Sequence, residues 1–137
     1  MKLTFTQDNA SRKIVGKFIL GPRYQGGGGM GHGGIIATLL DETMVWACVI
    51  QTKRFAYCAE LKVRYVLPVR PGAPVIATAE LVENRRGKIF TTQAELRDRA
   101  KVLLATASAR YLPIPGEPTI EQLTDFVGDM GFVSGET

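Results

Sequence analysis

The chain has 137 residues, 45% hydrophobic and 22% charged, with a formal net charge of +4. That composition excludes disorder and suits a single domain over residues 1–137 with one core. The basic excess is mild and includes no dense Lys/Arg run, so it reads as a solvated surface rather than the footprint of a nucleic-acid binder. Two cysteines, Cys48 and Cys58, are too few for a disulfide scaffold in so short a chain. With a single histidine beside them they give no metal-ligand spacing, so no metal is expected.

Residues 1–8 hold no apolar core of a secretory signal, and the expected location is the reducing cytoplasm. Arg12 to Leu20, with Ile14, Val15, Phe18 and Ile19, reads as a strand. Gly21 to Gly34 is a glycine-rich loop, the residue type used where backbone takes unusual dihedrals or approaches a ligand. Ile35 to Ile50 follows, with twelve of sixteen residues apolar, and a helix apolar nearly all round is a buried one. Asp41 and Glu42 interrupt it, and it is shorter than the roughly 20 residues of a membrane span, so no membrane partner is expected.

Phe55 to Leu67 alternates as a long half-buried strand, placing Tyr57, Leu61, Val63 and Tyr65 on one face and Cys58, Glu60, Lys62 and Arg64 on the other. Pro68 to Pro74 is a connection. Val75 to Glu83, Lys88 to Arg97 and Lys101 to Leu112 read as three further strands, the first two joined by a hairpin turn at Asn84-Arg85-Arg86-Gly87. In the last strand Ala105, Ala107 and Ala109 share one face, small enough for a helix to lie close. The tail, residues 114–137, is polar and proline-rich, and Thr119 to Val127 is a possible short helix. One buried helix followed by a strand meander is an α+β architecture of about five strands, with a core over residues 12–113.

The chemistry concentrates at His32-Gly33-Gly34 and the helix behind it. Gly33 and Gly34 stand at the helix N-terminus, where free N–H groups and the helix dipole suit an anion or a developing oxyanion. Asp41 lies about two turns in, among apolar neighbours, where an unpartnered carboxylate is costly to bury. Taken singly, glycines before a helix are ordinary turn chemistry, a lone histidine is often a structural donor, and an acid in an apolar helix often reaches the surface. Their conjunction in one short window is the informative feature.

The segment His32-Gly33-Gly34-Ile35-Ile36-Ala37-Thr38-Leu39-Leu40-Asp41-Glu42 resembles the signature of hot-dog-fold thioesterases of the phenylacetate-degradation (PaaI-like) type. Ala59 to Pro68, Pro71-Gly72 and Ala105 to Tyr111 are similar to later segments of that family. The resemblance implies a hot-dog fold, a long central helix wrapped by a curved antiparallel sheet. It implies an acyl-CoA thioesterase acting on an aryl- or medium-chain acyl-CoA, with coenzyme A part of the substrate and no separate cofactor. By the same resemblance Asp41 is the nucleophile or general base. The Gly33 amide is the oxyanion donor, with Gly34 beside it. His32 supports the loop, and Gln25 positions water or thioester. Cys58 stands where a hydroxyl residue often faces the acid, and a thiol donates only weakly. Arg85, Arg86 and Lys88 around Gly87 are candidates for the coenzyme A phosphates, and equally a solvated basic hairpin. Met44, Trp46 and Tyr57 line an acyl pocket or fill the core. The family builds its site between subunits, implying a homodimer or a dimer-of-dimers homotetramer. The alternatives are a non-catalytic acyl-CoA binding protein and an enoyl-CoA hydratase on the same fold.

Overall fold

The computed structural model describes residues 4–21, 33–116 and 132–134. Their elements run in chain order as β1 (Thr4–Gln7), β2 (Ile14–Ile19), α1 (Gly33–Thr52), β3 (Ala56–Tyr65), β4 (Pro74–Arg85), β5 (Ile89–Asp98), β6 (Leu103–Pro113) and β7 (Phe132–Ser134). The strands form one sheet in the order β3-β6-β5-β4-β2-β1-β7, antiparallel throughout except for the β1–β7 pair. A single helix packed on a curved sheet is the hot-dog architecture that the resemblance implied. The sheet is larger than the expected five strands. β1 has one buried apolar residue, Phe5, and β7 is three residues long, so both fall below what alternation can reveal. The possible helix Thr119 to Val127 lies outside the described residues.

The helix forms because its apolar residues leave few positions that water can satisfy. Leu39, Leu40, Met44, Trp46, Ala47, Cys48 and Val49 are all buried. It ends at Lys53, whose φ of 63° is left-handed and whose N–H donates to the Val49 carbonyl at 2.9 Å, a C-terminal cap usually built on glycine. At 20 residues it is longer than the sequence suggested, and by length and composition alone it passes for a membrane span. The core helix of a soluble protein passes the same test, and half of this one is buried inside the fold.

The sheet meets the helix with a mixture of small and larger apolar residues, the small ones on its central strands. Gly16, Ala77, Leu96, Ala105 and Tyr65 form one inward row across five strands, and Ile14, Ala79, Ala94, Ala107 and Val63 form the next. A Cβ added to Gly16 would lie 2.9 Å from Phe5 Cε1 and 3.3 Å from the Thr43 hydroxyl, so glycine is required by the close approach of β2, β1 and α1. The β4–β5 hairpin turns at Arg86 and Gly87, both at positive φ (54° and 68°), with the Lys88 N–H donating to the Arg85 carbonyl at 2.9 Å. Two successive positive-φ residues make the tight turn that matches the strand twist.

β3 is an edge of the sheet, paired only with β6 among the described residues. Its Tyr57, Leu61 and Tyr65, and Val66 and Leu67 just beyond, are exposed. Edge strands that stay apolar and unpaired are normally covered by something else.

Candidate active site

Asp41 and Glu42 are both half-buried in the middle of α1, so neither simply reaches the surface. Asp41 is met from the sheet. The Tyr111 hydroxyl on β6 donates to Asp41 Oδ1 at 2.6 Å and lies 3.2 Å from the Asp41 carbonyl oxygen. The shorter contact falls in the range of a hydroxyl bonded to an ionised carboxylate. Tyr111 is fully buried and pairs across the ladder with Phe90, also fully buried. Burial, then the hydrogen bond and negative charge of Asp41, hold the phenol far above its ordinary ionisation range, so it remains a donor. Sequence reasoning placed Tyr111 in the closing strand but gave it no role. Its only signal was a large polar ring ending a run of inward-facing alanines.

Cys58 is on a different face from the one alternation predicts. The β3–β6 register shifts between Cys58 and Glu60, leaving Ala59 as the extra residue of a bulge. The bulge reverses the phase of the strand. Cys58 therefore pairs with Tyr111 and shares its inward face, while Glu60, Lys62 and Arg64 point outward opposite Arg110, Ser108 and Thr106. Burial raises the Cys58 thiol pKa and the neighbouring charge of Asp41 raises it further. Asp41, Tyr111 and Cys58 thus form one cluster drawn from α1, β6 and β3. Glu42 adjoins it, and burial followed by the Asp41 charge raises its carboxyl pKa.

Gly33 is the first residue of α1, eight residues and about 12 Å along the axis from Asp41. The opening N–H groups of a helix have no partner within the helix itself. The Tyr65 hydroxyl at the end of β3 donates to the Gly33 carbonyl at 2.5 Å, and the Gly34 carbonyl accepts from the Thr38 hydroxyl at 2.9 Å. His32 and Gln25 lie outside the described residues.

The basic hairpin stands elsewhere. Arg54, just past the helix C-terminus, donates from Nη1 to the Gly87 carbonyl at 3.2 Å. Arg85, Arg86 and Lys88 therefore sit toward the end of α1 opposite Gly33, and the helix is about 30 Å long. Arg85 is exposed and partners Glu83 at 3.4 Å. Met44 and Trp46 are core residues, with 0% and 2% exposure, while Tyr57 is half exposed. A groove of about 410 Å³ lies across the sheet around Lys62, Arg64, Glu80 and Glu95 and does not include Asp41. Among the described residues no group of three His, Cys, Asp or Glu side chains is placed to hold a metal ion.

Comparison with known proteins places the chain by family and fold. The family model of the thioesterase superfamily matches residues 28–105, more than half of the chain. Acyl-coenzyme A thioesterase THEM4 of Xenopus laevis is 31% identical over 108 residues, 78% of this chain and 48% of that protein. The chain thus spans about half the length of that curated relative. The PaaI protein of the E. coli phenylacetic acid degradation operon superposes with a TM-score of 0.72 at 19% identity, covering 77% of this chain and 75% of that one. The smu.793 protein of Streptococcus mutans UA159, solved bound to acetyl CoA, also gives 0.72, at 16% identity, covering 83% and 90%. The sequence motif, the helix-on-sheet fold and the family match converge, and the chain belongs to the thioesterase superfamily.

Proposed function

We propose that this chain hydrolyses the thioester of an aryl- or medium-chain acyl-CoA to the free acid and coenzyme A. The observation that carries the reading is a half-buried carboxylate in an apolar helix, Asp41, held by Tyr111 and two turns from a glycine-started helix N-terminus. A group that is expensive to bury and is nonetheless held in place is a candidate for chemistry. The names of the relatives support the reaction class: THEM4 is called an acyl-coenzyme A thioesterase.

In this reading Asp41 attacks the thioester carbonyl or removes a proton from the attacking water. The Gly33 N–H stabilises the carbonyl oxygen as it gains charge, and the thiolate of coenzyme A leaves. His32 supports the loop and Gln25 orients the water or thioester. Arg85, Arg86 and Lys88 meet the coenzyme A phosphates, and a second copy of the chain brings that hairpin to the Gly33 end of its partner. The exposed apolar edge of β3 supports such a homodimer, since its free backbone groups suit pairing with another β3.

Thiol release from a panel of aryl and fatty acyl-CoAs, wild type against Asp41→Asn, tests the proposal. Turnover lost in a variant that keeps the wild-type melting temperature is the expected result. Full activity in Asp41→Asn would remove Asp41 from the chemistry. Tight binding of acyl-CoA with no thiol release from any substrate would make the chain a binder.

A further inference from the structure

Among the described residues, the sheet reaches the helix at Asp41 with one hydrogen-bonding side chain. Along the inner face of β6, Ala105, Ala107 and Ala109 are small and buried, and the next inward position is Tyr111. Its hydroxyl bonds Oδ1 of Asp41 at 2.6 Å, and among the described residues Oδ2 carries no hydrogen bond. Two oxygens that are chemically equal in a free carboxylate are therefore unequal here. Oδ1 shares its charge with a donor, and Oδ2 keeps its lone pairs for a reacting atom.

We propose that Tyr111 is a positioning residue that selects Oδ2 of Asp41 as the reacting oxygen, by holding Oδ1 and fixing the rotation of the carboxylate. The inference rests on the reading of Asp41 given above. A carboxylate that turns freely about its last torsion spends only part of its time aimed at a substrate, and restricting it raises the rate without adding a contact to the substrate. The groups that face Asp41 among the described residues are Glu42 on the same helix, Cys58 from β3 and Tyr111 from β6. Phe90 of β5 backs the tyrosine ring. Tyr111 is the one member of that set that donates to the carboxylate, so its removal acts on the ionised form of Asp41 in particular.

The test compares wild type, Tyr111→Phe and Asp41→Asn on whichever acyl-CoA the wild type turns over best, over a range of substrate concentrations. Phenylalanine fills the same space and lacks the donor. In Tyr111→Phe kcat should fall about tenfold or more, as loss of a hydrogen bond to a charged group predicts. KM should stay within about twofold, because no substrate contact is lost. A purely structural role would disturb kcat and KM together. If Tyr111→Phe does not fold, 3-fluorotyrosine incorporated at position 111 keeps the ring and makes the hydroxyl a stronger donor, and kcat should then depart from the wild-type value while KM stays within about twofold. A kcat at the wild-type value in whichever variant folds overturns the role of Tyr111 alone, provided Asp41→Asn is inactive. Full activity in Asp41→Asn overturns the reading of Asp41 and this inference with it.

Discussion

The Tyr65 hydroxyl lies 2.5 Å from the Gly33 carbonyl oxygen, tying the end of edge strand β3 to the first residue of α1. The bond anchors Gly33, the residue whose N–H is proposed to meet the thioester oxygen, from its carbonyl side. A donor that is to stabilise an oxyanion has to be aimed before the charge develops. Tyr65→Phe should therefore lower kcat roughly fivefold, the equivalent of about 1 kcal/mol for one neutral hydrogen bond. Steady-state kinetics of the purified variant measure it, and an unchanged kcat would mean that the helix alone holds Gly33 in place.

The bulge at Ala59 brings the Cys58 thiol to the inner face beside Asp41, while Cys48 is buried in the core with its thiol pushed up to about 12 by burial. Alkylation of the folded protein at pH 8 should modify Cys58 and leave Cys48 untouched. The charge of Asp41 is the second cause of the raised Cys58 thiol, after burial. Removing it in Asp41→Asn should lower the thiol pKa, increase the thiolate fraction and speed alkylation by roughly two- to fivefold at fixed pH. Peptide mapping with rate measurement reads both results. Equal rates in the two proteins would show that the carboxylate charge does not reach the thiol.

Much of this arrangement is written in local sequence, and its closest contacts are not. The apolar run Ile35 to Ile50 and the glycines before it announce the buried helix and its N-terminus. The strands from β3 to β6 follow from alternation and from the turn at Arg86-Gly87. Cys58 was legible as a candidate but on the wrong face, because alternation assumes an unbroken ladder and a one-residue bulge reverses every side chain before it. Tyr111 meets Asp41 across 70 residues of chain, a pairing set by strand order and register rather than by any local pattern. β1 becomes a strand because β2 offers it a partner, not because Thr4-Phe5-Thr6-Gln7 carries a strong signal.

Gly16 marks the tightest contact between helix and sheet. A methyl group there meets the Phe5 ring at 2.9 Å and the Thr43 hydroxyl at 3.3 Å, and Thr43 is already committed to the Leu39 carbonyl at 2.7 Å. Phe5 and Thr43 are both fully buried, so neither has room to retreat. Gly16→Ala should cost about 1–3 kcal/mol by overpacking. Urea unfolding of the variant checks the value through the shift in midpoint, and a stability equal to that of wild type would show that β1 moves away from β2 without penalty.

Glu42 supplies a pH signature of the site that does not depend on turnover. Burial first, and the Asp41 charge second, raise its carboxyl pKa above the ordinary value of 4.5. The native protein then holds this proton more tightly than the unfolded chain does. Between the unfolded and folded values the native state binds more protons, so this group's contribution to stability falls as pH rises through that window. At pH 7 the full cost of its ionisation is in place, and below the unfolded value it is gone. Glu42→Gln removes the charge at every pH. Its melting temperature should exceed that of wild type at pH 7, and the difference should shrink steadily as the pH is lowered through the carboxylate range. A difference that stays constant with pH would show that the gain comes from packing or helix propensity rather than from relief of a half-buried charge beside Asp41.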